Sequence, residues 1–132
     1  EMKKKLLEIA KTGDVQLTVI EARKLAKSAG FGEIDEVMIA TAVSELARNI
    51  LAYAGEGEVT IEILGKGFSK GIEIVAQDNG PGIADLEKAM EDNFSTGGGL
   101  GIGLPGVKRI MDEFTIYTKP GLGTKVAVRK WV

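Results

Sequence analysis

The spacing of apolar residues changes near residue 58 from a helical period to strict alternation, and this change limits the possible folds more than any other feature. Upstream, apolar residues recur every three or four positions, which predicts a long helix from about Glu33 to Ala54 with one buried stripe. Downstream, apolar and polar residues alternate over Val59–Ile63 and Ile72–Ala76, which predicts a hairpin with one face toward a core. The region from Gly65 to Gly71 is the predicted turn between these strands.

The segments on either side extend this pattern. Asp14 is the predicted N-cap of an earlier helix that ends at Gly30. Further elements are predicted at Leu6–Ala10 (strand), Asp85–Glu91 (short helix), Leu104–Asp112 (helix), and Phe114–Lys119 and Thr124–Val132 (hairpin). Helices would cover one face of the sheet while the other face is polar. We therefore predict an α/β two-layer sandwich with a mixed, mostly antiparallel sheet rather than a doubly wound parallel sheet.

Length and charge restrict the functional classes. The 132 residues contain no linker, repeat or low-complexity tract, so residues 2–132 are predicted to form a single domain. The formal net charge of −2, from 17 basic and 19 acidic side chains, argues against a nucleic-acid partner because such partners require a basic surface. No apolar stretch suits a signal peptide or a membrane span, so we expect no membrane partner and a cytoplasmic location.

Two residue types are missing and a third is in excess. The sequence has no cysteine, which excludes disulfides, thiol catalysis and cysteine zinc sites. It has no histidine, which excludes a Ser-His-Asp triad, a histidine zinc helix and a phosphohistidine carried on this chain. Glycine, with 18 residues, is about twice as frequent as usual, and eight of these residues lie between Gly80 and Gly106. The excess of glycine is therefore local.

The segment Gly97–Gly106 has six glycines in ten residues and leads into a predicted helix. Bare backbone amides beside a helix N-terminus favour phosphate binding, whereas the alternative interpretation is a flexible loop. The spacing of Gly101, Gly103 and Gly106 matches a dinucleotide-binding fingerprint, but no strand precedes it and no acidic residue follows about 20 positions later. A Walker-type loop is absent as well. The segment therefore predicts a phosphate cradle outside both of those classes.

A second candidate site lies at the end of the first hairpin, in the segment Asp78–Gly82. Asp78 has the strand parity of Ala76, so its side chain is predicted to face the core. Thr124 shares the inward parity of Val126 in the same way. A carboxylate and a hydroxyl on one inner face suit an amino-substituted heterocycle such as adenine. The alternative for Asp78 is a turn residue that caps a local amide.

The long helix carries a third candidate, the pair Glu45 and Asn49. These residues are four positions apart and share a helix face about a quarter-turn from the buried stripe. At the border of a core they would supply a general base and an oxygen ligand for Mg²⁺. The alternative is a solvated helix face.

Four segments together resemble the GHKL superfamily of ATPases and kinases, which share the Bergerat fold. They occur in the order and spacing of that superfamily and span nearly the whole chain. Their sequences are SELARN at 44–49, DNGPG at 78–82, GLGIG at 99–103 and GLGT at 121–124. The compact length and the stretch from Phe94 to Phe114 are similar to the branch of anti-sigma-factor serine/threonine kinases.

The resemblance implies a role for each matching residue. Asp78 would accept the adenine amino group with help from Thr124, and Gly80 and Gly82 would let the backbone approach the base. Asn49 would ligate Mg²⁺, and Glu45 would orient or deprotonate the attacking hydroxyl. The phosphates would lie against the amides of the last segment and the residue after it, namely Gly99, Gly101, Gly103 and Leu104. Residues from about Ile83 to Gly98 would form the lid over ATP.

The resemblance also implies a function: a protein serine/threonine kinase that requires ATP and Mg²⁺. Its expected substrates are STAS-domain scaffold and antagonist proteins of a bacterial stressosome. Once released, the kinase would activate a PP2C-type phosphatase in a stress sigma-factor cascade. The alternative is an anti-sigma factor that captures a sigma factor and phosphorylates an anti-anti-sigma STAS protein. Because phosphoryl transfer requires mainly positioning and charge neutralisation, the missing histidine is no obstacle to either function.

Overall fold

The computed structural model describes residues 3–66, 68–91 and 102–132. Each predicted helix and strand is present, with ends shifted by a few residues. The elements are β1 (Lys4–Ile9), α1 (Thr12–Ala29), α2 (Glu33–Tyr53), β2 (Gly57–Lys66), β3 (Ser69–Asp78), α3 (Leu86–Ala89), α4 (Gly103–Ile110), β4 (Glu113–Lys119) and β5 (Gly123–Trp131).

In the described ranges, five strands form one sheet in the order β1-β2-β3-β5-β4. All four pairings between neighbouring strands are antiparallel. The helices α1, α2 and α4 pack on one face of this sheet, and one apolar core lies between the two layers. The predicted two-layer sandwich is therefore confirmed.

The apolar stripe of the long helix forms the centre of the core. Its four predicted members are all at most 2% exposed: Ile39, Val43, Leu46 and Ile50. They contact the inward row of the central hairpin, in which Ile61, Ile72 and Ile74 are fully buried. Burying each such side chain contributes roughly 1.5–3 kcal/mol, so this stripe is what holds α2 against the sheet.

The start of α1 differs from the prediction. The N-cap is Lys11, and Asp14 lies one turn inside, as the third residue of the helix. The Asp14 carboxylate reaches back and accepts hydrogen bonds from the backbone amides of Ala10 (2.9 Å) and Lys11 (3.1 Å). Asp14 thus satisfies amides ahead of the helix, whereas an N-cap side chain satisfies amides inside it. The end of the helix at Gly30 is confirmed, because Gly30 has the left-handed φ of 98° that favours glycine.

The turn between β2 and β3 is tighter than predicted, because the two strands remain paired as far as Lys66 and Ser69. Gly65 and Gly71, which suggested a wide turn, belong to the paired strands instead. A Cβ on Gly71 would overlap the ring of Trp131 on the neighbouring strand. Glycine at this position therefore accommodates an aromatic side chain and does not bend the chain.

Gly123, at the start of β5, brings two strand ends together and offers a test of the fold. It has a φ of 95°, and a Cβ there would overlap the backbone carbonyl oxygen of Asp78. We expect Gly123→Ala to lower the free energy of unfolding by about 2 kcal/mol or more, from backbone strain and overlap together. Urea unfolding followed by circular dichroism measures this loss.

Gly121 provides the matched control for this prediction. Its φ of 82° is also left-handed, but a Cβ there would meet no atom within 4 Å. Gly121→Ala is therefore expected to cost only the conformational strain of about 1 kcal/mol. Equal losses of unfolding free energy in the two variants would show that overlap with the Asp78 carbonyl adds nothing to the destabilisation of Gly123→Ala.

Candidate functional site

Polar side chains of three neighbouring strands meet in one row on the inner face of the sheet. Asp78 of β3 is paired with Thr124 of β5, which is paired in turn with Thr118 of β4. Directly paired residues of antiparallel strands point to the same face. Asp78 and Thr124 thus lie on the inner face, as their parity in the sequence predicts. Thr118 shares the parity of the half-buried Ile116, so the same alternation in the sequence indicates the inner face for it as well.

Asp78 combines the two interpretations that the sequence left open. Its Oδ1 accepts a hydrogen bond from the backbone amide of Gly80 at 2.9 Å, which is the contact of a turn-forming aspartate. No residue in the described ranges donates a hydrogen bond to its Oδ2. The side chain is half-buried and lines a cavity, so one oxygen holds the turn while the other remains available to a ligand.

The cavity lies between α2, β3, β5 and the segment that follows β3, and has a volume of about 250 Å³. Its walls are mostly apolar, as expected for a pocket that receives a planar ring. The predicted site residues that line it are Asn49, Asp78, Gly82, Leu104 and Thr124. Lys88 of α3 lines the same cavity and adds a basic group to it.

Asn49 and Glu45 lie on the same helix but in different surroundings. Asn49 is half-buried, lines the cavity and makes no hydrogen bond to another described residue through its side chain, so its amide oxygen is available. Glu45 is 5% exposed and is not part of the cavity wall. Its Oε1 accepts hydrogen bonds from the backbone amide of Ile102 at 3.0 Å and from Nη2 of Arg48 at 2.9 Å.

The contact between Glu45 and Ile102 connects the long helix to the beginning of α4. Ile102 is the N-cap residue of α4, and Gly103 follows with a φ of 68°. Leu104, 7% exposed, closes one wall of the cavity. The helix N-terminus, with its free amides, therefore lies beside the cavity. Gly99 and Gly101, the other two predicted phosphate-binding glycines, lie outside the described residues.

The glycines at the end of β3 make close contacts within the protein itself. A Cβ on Gly80 would overlap Ala54 at the end of α2, and a Cβ on Gly82 would overlap the backbone carbonyl of Lys119. Gly82 also lines the cavity, whereas Gly80 does not. Close packing within the protein is therefore sufficient to explain why both positions are glycine, without a bound nucleotide. Their predicted role beside the base stays a prediction.

The residues present suit a magnesium ion only together with phosphate groups. Among the described residues, no cluster of three or more acidic or other metal-binding side chains could enclose a metal by itself. Asn49 offers one free amide oxygen at the cavity. Mg²⁺ in nucleotide sites keeps few protein ligands and takes the rest from phosphate and water, so a single protein oxygen fits this mode of binding.

Comparison with known proteins identifies the family. The chain matches the family of histidine kinase-, DNA gyrase B- and HSP90-like ATPases over residues 34–131, and it belongs to that family. Two solved structures share its fold. The RsbU and RsbW domains of a Mycobacterium tuberculosis protein match with a TM-score of 0.62 and 17% identity, over 96% of this chain and 32% of that chain. The mycobacterial sensor histidine kinase MprB matches with a TM-score of 0.58 and 18% identity, over 96% of each chain. At such identities the likeness shows the fold alone, and it confirms the predicted Bergerat fold.

Relatives of higher identity indicate the type of enzyme. The chain is 54% identical over 110 residues to the serine/threonine-protein kinase RsbT of Bacillus subtilis (strain 168), and the matched region covers 83% of each chain. It is 36% identical over 105 residues to an anti-sigma F factor of Thermoanaerobacter sp. (strain X514), and the matched region covers 75% of this chain and 73% of the relative. The chain is therefore an enzyme of the serine/threonine-protein kinase type that uses ATP. Of its described helices, none has the length and apolar character needed to cross a membrane.

Proposed function

We propose that this kinase transfers the γ-phosphoryl group of ATP to a serine or threonine of STAS-domain proteins, namely the scaffold and antagonist proteins of a bacterial stressosome. The observation that carries the nucleotide part of the proposal is the single cavity shared by Asn49, Asp78, Leu104 and Thr124. The names of the relatives, a serine/threonine-protein kinase and anti-sigma F factors, support the signalling part.

Adenine binds at the end of the cavity that Asp78 and Thr124 form. The free Oδ2 of Asp78 accepts a hydrogen bond from the exocyclic amino group, because a carboxylate only accepts hydrogen bonds. Thr124 lies directly opposite Asp78 in the sheet register and contacts the neighbouring edge of the ring. Leu46, Ile50 and Val126 belong to the apolar wall against which the ring packs.

The phosphates bind at the end of the cavity near Asn49 and the start of α4. Backbone amides at a helix N-terminus attract anions, and Gly103 and Leu104 open this helix. Bound Mg²⁺ would neutralise developing charge on the phosphates, and Asn49 would hold it through the amide oxygen. Lys88, which lines the same cavity, adds positive charge to it.

Glu45 receives the proton in the transfer step. The oxygen of the acceptor hydroxyl forms a bond to the γ-phosphorus, the bond from that phosphorus to the bridging oxygen of ADP breaks, and the hydroxyl proton passes to the carboxylate. Oε1 already accepts two hydrogen bonds, from Ile102 and Arg48, so Oε2 is the oxygen that remains for the proton. The two bonds hold the carboxylate in one orientation at the start of α4.

After phosphorylation of its partners the kinase is released and activates a PP2C-type phosphatase in the stress sigma-factor cascade. The second candidate function is an anti-sigma factor that phosphorylates an anti-anti-sigma STAS protein. The 36% identity to an anti-sigma F factor supports this second function. Pull-downs with a purified sigma factor in the presence of ADP separate the two, because only the second function predicts capture of sigma.

Transfer from labelled ATP to purified STAS proteins tests the main proposal. We expect label on a serine or threonine of the STAS protein with Mg²⁺ present, and loss of labelling in EDTA that added Mg²⁺ restores. Asn49→Ala is expected to lower the rate about 100-fold or more, since the variant leaves the metal without its protein ligand.

Asn79→Ala is the matched control, because Asn79 is exposed and is not part of the cavity wall. Its rate should stay within about threefold of the parent rate. Labelling that is independent of Mg²⁺, or equal rates in the two asparagine variants, would contradict the assigned role of Asn49. Absence of label on every STAS protein would contradict the proposed substrates.

A further inference from the structure

Buried charged side chains hold both ends of α4, the helix whose start is assigned to the phosphates. At the start, the Glu45 carboxylate accepts a hydrogen bond from the Ile102 amide at 3.0 Å. At the end, Nζ of Lys130 donates to the carbonyl oxygen of Ile110, the last residue of the helix, at 2.7 Å. In the described ranges the buried polar or charged side chains are Thr18, Glu36, Glu45 and Lys130. Two of these four groups are therefore bonded to the backbone at the ends of one short helix.

Lys130 reaches α4 from the sheet. It is paired with Ile72 in the register of β5 and β3, so both side chains point to the inner face. Lys130 is 7% exposed, and its ammonium group lies 3.9 Å from a carboxylate oxygen of Asp35 and 3.9 Å from one of Asp112. A buried ammonium group is costly unless oxygen atoms surround it, and here they come from three different segments. Lys130 thus connects the start of α2 and the end of α4 to the last strand.

The short helix α4 depends on such contacts for its direction. An isolated helix of eight residues is unstable in water, so the rest of the protein determines where it lies. Leu104 and Val107 bury one side of the helix, but apolar contacts are not directional and permit small shifts. Hydrogen bonds at the two ends, about 12 Å apart along the axis, restrict these shifts.

The place of Lys130 also suits the electrostatics of a helix that binds phosphate. A helix carries partial negative charge at its C-terminus, where a cation is favourable. The free amides at the other end point at the phosphates only while the helix axis keeps its direction. Lys130 itself does not line the cavity, so its effect on a nucleotide passes through α4.

We propose that Lys130 is a positioning residue that holds the C-terminus of α4 so that the amides at the start of the helix meet the phosphates of ATP. This inference rests on the proposed function, in which Gly103 and Leu104 bind the phosphates. Without the ammonium group, α4 stays attached through Glu45 and its apolar side but has the binding direction only part of the time. The apparent affinity for ATP falls with that fraction, whereas the base site on β3 and β5 keeps its affinity.

Calorimetric titration of ATP and of adenosine, with Mg²⁺ present, tests this inference in the parent protein and in Lys130→Met. Methionine keeps an unbranched, apolar side chain of similar length and removes the ammonium group. We expect ATP to bind about tenfold more weakly, while adenosine, which has no phosphates, stays within about twofold of the parent value. Lys125→Met makes the same change at an exposed residue of the same strand and should alter neither dissociation constant.

Hydrogen exchange of backbone amides shows whether the change is confined to α4. In Lys130→Met we expect exchange about tenfold faster than in the parent over residues 107–110, with parent rates in α1 and in the central strands. Lys130→Gln is also neutral and has a shorter side chain, so it replaces Lys130→Met if that variant does not fold, and the same results are expected. Equal weakening of ATP and adenosine, or exchange that is equally faster in all elements, would overturn the positioning role.

The parent protein separates this inference from the proposed function. Tighter binding of ATP than of adenosine by the parent, with the same ratio of dissociation constants in Lys130→Met, would overturn only the role of Lys130. A parent protein that binds adenosine as tightly as ATP would overturn the assignment of the phosphates to the start of α4, and the inference with it.

Discussion

Replacing Asp78 with asparagine is expected to weaken ATP binding by about 100-fold or more while the protein stays folded. The oxygen of the new side chain can still accept the hydrogen bond from the Gly80 amide, which holds the turn. The other position, now an NH₂ group, can only donate and would face the amino group of adenine, which also donates. Two facing donors and the lost charge together remove about 3 kcal/mol of binding free energy.

Isothermal titration calorimetry with ATP measures this loss, and thermal unfolding without nucleotide checks the fold. Asp85→Asn is the matched control, because Asp85 lies in the same cavity wall and the substitution removes the same charge. Its side chain caps α3 by accepting from the Lys88 amide at 3.0 Å, and asparagine caps helices equally well. ATP affinity should therefore change by less than about threefold in Asp85→Asn. Near-parent affinity in Asp78→Asn would contradict the assignment of Asp78 to the base.

The sequence predicted those features that depend on periodicity. The change from helical spacing to alternation located the helices and strands, and parity placed Asp78 and Thr124 on the inner face of the sheet. Periodicity is a local property, so residues a few positions apart suffice to fix it. The resemblance of four short segments to one superfamily then supplied the family and the type of enzyme, which the comparisons confirm.

Contacts between distant segments could not be predicted in the same way. The bond between Thr118 and Ile83 spans 35 positions, and that between Glu45 and Ile102 spans 57. Each depends on how a loop passes over the sheet or a helix, which no local period encodes. For the same reason the sequence could not show that the backbone carbonyl of Lys119 occupies the space that a Cβ on Gly82 would need.

Glu45→Gln is expected to retain ATP binding and lose phosphoryl transfer. The amide oxygen of glutamine can still accept the bond from Ile102, so the start of α4 and the cavity wall at Leu104 should stay in place. Glutamine cannot take up the proton of the attacking hydroxyl. Loss of a general base typically lowers the rate 100- to 10,000-fold, so we expect kcat to fall by about that factor with the ATP dissociation constant within about threefold.

Alanine at the same position distinguishes the proton acceptor from the structural contact. Glu45→Ala removes the acceptor for both Ile102 and Arg48, so the start of α4 loses its hydrogen bond to α2 and ATP affinity should fall together with the rate. Comparing the two variants by single-turnover transfer and by calorimetry separates the two effects. If Glu45→Gln transfers phosphate at the parent rate while Glu45→Ala binds ATP poorly, the carboxylate serves only to anchor α4. If Glu45→Gln instead binds ATP normally but transfers phosphate slowly, the transfer step depends on the carboxylate itself, because this variant preserves the contact with Ile102.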